Sequence, residues 1–158
     1  MSTAVPTRPR IVPARRYFTI VASRFNAPFV QGLVDHATEE LRSLCPAAVI
    51  TLHRVSGAFE IPVVVREIAL REKANAILAI GVILQGSTSH AEHLAVSVTN
   101  SLQQIALTYG VPVINAVLTL ENEQQAQERC LGKKINRGTE AGQAAVEIAN
   151  LMSDLRRI

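Results

Sequence analysis

The sequence contains little of what marks secreted, membrane-spanning or disulfide-stapled proteins. Its only cysteines, Cys45 and Cys130, are too few for a disulfide framework, so free thiols in a cytoplasmic protein are expected. The longest apolar stretch, residues 76–84, is far shorter than a membrane-crossing helix, and no apolar signal segment begins the sequence. With 158 residues and 48% hydrophobic side chains, a single domain with its own core is predicted.

Acidic residues are missing from the first 34 positions, where arginine is frequent. Five of the 16 lysines and arginines precede Asp35, so the other eleven cations are outnumbered by 13 acids. The net charge of +3 therefore belongs to the N-terminus, and no nucleic-acid-binding surface is predicted. Three prolines within the first 16 residues would break the amphipathic helix of a transit peptide. Residues 1–16 are therefore interpreted as an extended arm, and residues 17–158 as the domain.

Short apolar runs alternate with segments of helical periodicity along the rest of the chain. This alternation predicts a parallel sheet with right-handed crossovers, in a three-layer doubly wound α/β sandwich with the flavodoxin-like strand order 2-1-3-4. The arm is a candidate for adding a strand to the sheet edge of a neighbouring subunit. Strands are predicted at 17–22, 48–55, 74–84 and 111–119, and helices at about 29–44, 64–72, 89–109, 122–129 and 139–155.

Four loops are candidates for a ligand site, because open α/β sheets bind ligands at the carboxyl ends of their strands. They read SRFN, SGAFE, QGSTSH and LTLEN after the first to fourth strands. The sequence has no Walker lysine motif, no G-x-G-x-x-G and no G-x-S-x-G. Binding of ATP or NAD and serine hydrolase chemistry therefore lack support.

The third loop offers a place for a phosphate. Gly86 is expected to permit a tight turn, and the helix that follows presents N–H groups and its positive dipole end. The hydroxyls of Ser87 and Thr88 add donors. A capping box formed by Ser89 and Glu92 would explain the same residues without any ligand, and the two interpretations are compatible.

Two histidines follow this loop at a spacing of three residues. His90 and His93 could share a metal ion, but a third ligand is missing nearby, so no metal site is expected. A histidine in the first turn of a helix, beside a candidate phosphate site, is suited to proton transfer because its ordinary pKa lies near neutrality. An unremarkable surface histidine is the open alternative for His90.

Side chains of the second loop and of the short fourth helix have two interpretations each. Phe59 and Glu60 together could grip an apolar ring that carries hydroxyls, or the carboxylate could simply favour the start of a helix. Arg129 could supply a guanidinium fork for a phosphate, or could compensate the charge at a helix end. The spacing of the residues alone leaves both pairs of alternatives open.

Six segments of the chain stand in a recognisable order. They are ASRFN (22–26), GAFEIP (57–62), GVILQGSTSH (81–90), VPVINAVLT (111–119), QAQER (125–129) and NRGTEAGQAAVEIANL (136–151). Together they resemble the lumazine synthase family of riboflavin biosynthesis, from about residue 17 to residue 151. The resemblance implies condensation of 5-amino-6-(D-ribitylamino)uracil with 3,4-dihydroxy-2-butanone 4-phosphate. The products would be 6,7-dimethyl-8-ribityllumazine, phosphate and water, with no metal or organic cofactor.

The resemblance also implies roles for individual residues. The Phe25 ring would stack on the pyrimidine, and His90 would be the proton donor or shuttle. Ser87, Thr88 and Arg129 would hold the butanone phosphate. The remaining wall of the pyrimidine and ribityl pocket would be formed by Ala58, Phe59 and Glu60 and by the backbone of Val82, Ile83 and Leu84.

Three residues depart from the pattern of the family. Asn115 stands where phenylalanine is common, so this part of the substrate-binding wall is smaller and polar. Gln85 stands where arginine is frequent, which removes one cation near the phosphate. Arg137 replaces the usual lysine and keeps its charge with a different geometry.

Members of the family assemble as pentamers, many of which build a hollow sixty-subunit icosahedral shell. The resemblance implies active sites shared between neighbours, with Phe25, Phe59 and His90 from one chain and Asn115 and Arg129 from the next. It also implies small-molecule substrates, a cytoplasmic location and a riboflavin synthase as a candidate partner. The alternatives are a non-catalytic flavodoxin-like module for a flavin or phosphate, and an inactive shell protein.

Overall fold

The computed structural model describes residue 2 and residues 4–157, which fold around a parallel sheet. The strands are β1 (Tyr17–Ser23), β2 (Val49–Val55), β3 (Ala76–Leu84) and β4 (Val113–Leu120). Their order across the sheet is β2-β1-β3-β4, and each neighbouring pair is parallel. The predicted fold class and strand order are confirmed.

Helices cover both faces of the sheet. They are α1 (Ala27–Leu44), α2 (Ile61–Arg71), α3 (His90–Tyr109), α4 (Glu123–Ala126) and α5 (Arg137–Leu155). The apolar side chains of α1 and α5 pack on one face and those of α2 and α3 on the other, which gives the three predicted layers. Among the described residues, no helix is both long enough and apolar enough to cross a membrane.

The predicted helix at 122–129 is wrong in its second half. After α4 the chain continues as a π-helical turn, Gln127–Leu131. The N–H of Gly132 donates to the carbonyl oxygen of Gln127 at 3.0 Å, five residues back instead of four. The turn is therefore wider than an α-helical one, and Arg129 lies within it.

β3 is a central strand whose burial explains its continuous apolar sequence. Eight of its nine residues are buried, because helices cover both of its faces. Leu78 and Ile80 pack with the α1 and α5 layer, whereas Ile77 and Ala79 pack with the α2 and α3 layer. Packing on both faces therefore holds the carboxyl end of β3 in place, which suits it to form part of a ligand site.

α1 and α5 approach each other closely because α5 carries glycine where it faces α1. A Cβ atom at Gly138 would lie 2.4 Å from the carbonyl oxygen of Leu33, a separation that real Cβ atoms do not show. One turn later, a Cβ at Gly142 would lie 3.0 Å from the carbonyl oxygen of Ala37. The start of α5 and the turn before it are thereby held against α1.

The described part of the N-terminal arm lies along α1 of its own chain. The N–H of Val12 donates to the carbonyl oxygen of Leu44 at 2.7 Å, and the Arg8 guanidinium contacts the Glu40 carboxylate at 2.8 Å. Hydrogen bonding from Arg8 lowers the pKa of Glu40 below its ordinary value of 4.5, against the opposing effect of burial. The arm has no strand among its described residues, so strand addition to a neighbour stays a prediction.

Candidate functional site

A cavity of about 360 Å³ opens at the carboxyl ends of β1 and β3, where ligands of open α/β sheets bind. Its wall contains eight of the predicted site residues, namely Phe25, Ala58, Phe59, Glu60, Val82, Ile83, Leu84 and His90. It also contains four residues to which the sequence assigned no role, Ser23, Asn26, Gly57 and Leu94. Four predicted residues lie outside this wall, Ser87, Thr88, Asn115 and Arg129.

The loop after β1 carries Phe25 at the rim of the cavity. The N–H of Arg24 donates to the carbonyl oxygen of Val55 at 2.9 Å, and the N–H of Phe25 donates to that of Ser56 at 3.3 Å. These bonds attach the loop to the end of β2. The Phe25 side chain is 70% exposed, and a Cβ at Gly57 would lie 3.3 Å from its ring. Gly57 thus gives the ring room beside the loop after β2, while most of the ring surface remains available to a ligand.

The loop after β2 adds a second aromatic ring and a carboxylate. Residues Ala58–Glu60 form a 3-10 turn, which α2 follows directly with Pro62 in its first turn. Ala58 is buried beneath the cavity, whereas the Phe59 ring is 68% exposed. Two exposed aromatic rings on one cavity rim are unusual for a monomer that binds no ligand. Such rings are suited to contact with a flat ligand or with a neighbouring chain.

The end of β3 forms the floor of the cavity and is tied to the loop after β1. The side-chain N–H of Asn26 donates to the carbonyl oxygen of Val82 at 2.7 Å. Asn26 has φ 59° and ψ 44°, and it is the one non-glycine residue with positive φ in the described part of the chain. Sequence reasoning assigned no role to Asn26; its place directly before a helix with proline in the first turn was the available signal.

α3 begins without the capping box that the sequence predicts. Ser89 occupies the N-cap position, but its side chain makes no capping hydrogen bond. Its backbone angles, φ −76° and ψ 2°, differ from the extended ones that direct a capping hydroxyl to the N–H of Glu92. The Thr88 hydroxyl instead accepts from the N–H of His90 over a long 3.4 Å. The first turn of α3 therefore retains N–H donors that an anion can use.

The turn before α3 is open, and the predicted need for glycine at position 86 is wrong. Among the described glycines, only Gly110 has positive φ, so the backbone of Gly86 is one that other residues adopt. A Cβ at Gly86 would meet no atom within 4 Å. Ser87 and Thr88 in the same turn are exposed directly before His90.

His90 is the first residue of α3, and its exposed side chain lies in the cavity wall. Glu60 faces the same cavity, so an imidazole and a carboxylate share one wall. His93, one turn further along α3, is exposed outside the wall. Within the described residues, no three His, Cys, Asp or Glu side chains are grouped to hold a metal ion.

Arg129 lies on the α1 and α5 side of the sheet, in the π-helical turn. Asn136 holds this turn by donating from its side chain to the carbonyl oxygens of Cys130 and Gly132, at 3.1 and 2.9 Å. Burial raises the pKa of the Cys130 thiol to about 11, so this thiol is not a nucleophile at neutral pH. The Nη1 atom of Arg129 is buried and makes no hydrogen bond within the described part of the chain.

Asn115 and Arg137 are both engaged within the chain. The Asn115 amide donates to the Thr99 hydroxyl at 3.4 Å, and its oxygen accepts from the N–H of Val117 at 3.1 Å. Arg137 Nη1 donates to the two carboxylate oxygens of Glu140 at 2.9 and 2.7 Å. Neither residue lines the cavity at β1 and β3.

The sequence matches known proteins over almost its whole length. The family model described as 6,7-dimethyl-8-ribityllumazine synthase matches residues 16–153. The 6,7-dimethyl-8-ribityllumazine synthase of Halorhodospira halophila is 39% identical over 139 residues, which cover 87% of this chain and 89% of the relative. The 6,7-dimethyl-8-ribityllumazine synthase of Chlorobium limicola is 41% identical over 135 residues, covering 85% of this chain and 87% of the relative.

Proposed function

This chain belongs to the 6,7-dimethyl-8-ribityllumazine synthase family, and from that membership we propose how its residues divide the work of the reaction. The enzyme is a transferase that condenses 5-amino-6-(D-ribitylamino)uracil with 3,4-dihydroxy-2-butanone 4-phosphate. An amine attacks a ketone, a Schiff base forms, phosphate leaves and the second ring closes. Each of these steps moves a proton, and two flexible substrates must be held in one orientation.

The cavity at β1 and β3 is the proposed site for the pyrimidine and its ribityl chain. The exposed ring of Phe25 offers a face on which the pyrimidine stacks. Phe59 and Glu60 lie on the adjacent loop after β2, where the carboxylate can accept hydrogen bonds from ribityl hydroxyls. The backbone of Val82, Ile83 and Leu84, together with buried Ala58, completes the wall. The joining of these seven residues and His90 in one cavity is the observation that carries the proposal.

The first turn of α3 is the proposed seat of the butanone phosphate. Its N–H groups are uncapped by Ser89, and Ser87 and Thr88 add hydroxyl donors immediately before it. Arg129 would complete the anion site with a charge-assisted hydrogen bond, which places the butanone and assists the departure of phosphate. His90 adjoins both substrates in this arrangement and would donate or shuttle the protons.

We propose that Arg129 and Asn115 reach this site from a neighbouring chain. Neither residue lines the cavity of its own chain; Asn115 is exposed and Arg129 is partly exposed, so both are accessible to a neighbouring chain. A ring of five chains would bring each arginine to the next cavity, and closed rings are a common symmetry of oligomers. We further propose an arm over residues 1–16, a domain over 17–158, assembly into a sixty-subunit shell, a cytoplasmic location and riboflavin synthase as partner.

A non-catalytic flavin or phosphate module is not favoured. Such a module would share the sheet and the phosphate turn, but it gives no reason for His90, Glu60 and the Phe25 ring to share one cavity. An inactive shell protein would likewise have no use for an imidazole and a carboxylate in one cavity wall.

The direct test mixes the purified protein with both substrates and follows the absorbance and fluorescence of the lumazine product. His90→Ala should slow product formation moderately, because the substrates react on their own once they are oriented. Arg129→Ala should lose far more, since phosphate binding and departure depend on it. His93→Ala is the matched control on the same helix and should keep the full rate. Full rates for both His90→Ala and Arg129→Ala would refute the proposed roles.

A further inference from the structure

We propose that Asn26 is a positioning residue, which fixes the Phe25 ring relative to the floor of the pyrimidine site through its hydrogen bond to the Val82 carbonyl oxygen. The inference rests on the proposed function, because it concerns the pocket assigned to the pyrimidine. Asn26 directly follows Phe25 in the chain, and its side-chain nitrogen lies 2.7 Å from the Val82 oxygen. It therefore connects the two sides of the pocket in a single residue.

Asn26 is at the N-cap position of α1, but its side chain does not cap that helix. An N-cap asparagine ordinarily accepts a hydrogen bond from the second or third N–H of the helix. The second position of α1 is Pro28, which has no N–H to donate. The backbone oxygen of Asn26 accepts from the N–H groups of Phe29 and Val30, at 3.1 Å each, so its backbone begins the helix. The side chain is therefore free to donate its hydrogen bond to Val82 in the pocket.

The backbone of Asn26 is in the left-handed conformation, with φ 59° and ψ 44°. This conformation is disfavoured for most residues, but asparagine and glycine tolerate it. It reverses the chain between the end of β1 and the start of α1, which brings the amide of Asn26 to β3. Glycine and aspartate also tolerate this turn but have no side-chain N–H donor, whereas asparagine has one.

The loop after β1 is thereby attached to both neighbouring strands. Toward β2, the N–H groups of Arg24 and Phe25 donate to backbone oxygens of Val55 and Ser56. Toward β3, Asn26 supplies the attachment from its side chain. Phe25 itself is 70% exposed, so packing of its ring within the chain cannot fix its position. We infer that the two attachments hold its backbone so that the ring is oriented before the pyrimidine arrives.

Two substitutions separate the effect of the hydrogen bond from the effect of the backbone conformation. Asn26→Gly keeps the left-handed turn and removes the amide. Asn26→Asp keeps the shape and the tolerance of the turn, but it places a carboxylate oxygen against the Val82 oxygen without a donor. Asn75→Gly is the matched control, because Asn75 ties β1 to β3 at the opposite, amino-terminal ends of these strands. Its side-chain oxygen accepts from the N–H of Tyr17 at 2.8 Å.

The experiment measures kcat, KM for each substrate and the Kd for 5-amino-6-(D-ribitylamino)uracil alone, together with the thermal midpoint. For Asn26→Gly we expect KM and Kd for this pyrimidine to rise by about threefold to tenfold, the range for one lost hydrogen bond. The value of kcat and the KM for the butanone phosphate should change little, because stacking on Phe25 is equal in ground and transition states. Asn26→Asp should show a larger rise in KM and Kd for the pyrimidine. Asn75→Gly should show no rise in either constant, even if its thermal midpoint falls.

The proposal is overturned if Asn26→Gly resembles Asn75→Gly, or if kcat falls while KM for the pyrimidine stays constant. It is also overturned if neither Asn26 variant folds while Asn75→Gly does, since Asn26 would then serve the fold and not the pocket. A wild-type protein that forms no product refutes the proposed function instead. In that case the Kd values alone decide the role of Asn26.

Discussion

Replacing Arg129 by methionine should lower the activity strongly while leaving the protein at least as stable as before. The Nη1 atom of Arg129 is buried without a hydrogen-bond partner among the described residues, so folding removes this one donor of the guanidinium from water without compensation. Methionine has a similar length and no charge, so it can occupy the same space without leaving a donor unused. The same substitution deletes the donor that we assign to the butanone phosphate.

The two effects come from different parts of the guanidinium: the buried Nη1 atom sets the effect on stability, and the partly exposed remainder of the side chain is the part that we assign to the phosphate. A buried donor without a partner costs about 1–3 kcal/mol, so Arg129→Met should leave the free energy of unfolding unchanged or raise it by about 1 kcal/mol. A hydrogen bond to a charged group contributes about 1.5–3 kcal/mol, so kcat/KM for the butanone phosphate should fall by about 10-fold to 150-fold. Arg129→Lys keeps the charge but loses the planar fork, and its kcat/KM should be intermediate.

The assays are urea unfolding at a fixed protein concentration, because the stability of an oligomer depends on concentration, and initial rates at varied butanone phosphate. Arg71→Met is the control, since Arg71 forms an exposed ion pair with Glu67 and should affect neither quantity appreciably. The reasoning is refuted if Arg129→Met lowers stability by more than about 1 kcal/mol while the rate is unchanged, because Arg129 would then have a structural role.

Further predictions concern the packing of α5 and the attachment of the arm. Gly138→Ala should lower the free energy of unfolding by about 1–3 kcal/mol, because its Cβ overlaps the backbone of α1, whereas Gly86→Ala should leave it nearly unchanged; urea unfolding compares the two. The lowered pKa of Glu40 means that its ionised form stabilises the fold above the ordinary carboxyl value of 4.5. This stabilisation should be lost as the pH falls from 4.5 through the lower pKa of the folded state. In Arg8→Met the unfolding midpoint should vary less with pH below 4.5. A pH dependence equal to that of the unsubstituted protein would contradict the ion pair between Arg8 and Glu40.

The layout of the sheet could be predicted from sequence because its signals are local and strong. The continuous apolar run of β3 has few alternatives to a doubly covered strand, and Pro46 ends α1 where the periodicity stops. The wall of the cavity followed from the rule that strand ends bind ligands, combined with the matching segments around Phe59 and His90. These residues lie next to strand ends in sequence, so their prediction required no knowledge of contacts between distant parts of the chain.

Features that depend on distant contacts or on backbone angles could not be predicted. The partner of Asn26 is 56 residues away in sequence, and local preferences would have assigned its side chain to capping α1. Ser89 and Glu92 have the spacing of a capping box, yet the backbone angles of Ser89 prevent the bond. The π-helical turn around Arg129 arises where the chain packs against α1, which the periodicity of that short segment does not encode.

The separation of Arg129 from the cavity of its own chain has a genetic consequence under the proposed ring. A defect in Arg129 would impair the neighbour's site, while a defect in His90 would impair the chain's own, so two defective alleles of one gene would complement each other. Ring assemblies mixed at random from equal amounts of both variants would contain intact His90 and Arg129 at roughly one interface in four. Those interfaces would have full activity although each chain in them carries a defect, so the functional unit would be the interface between subunits.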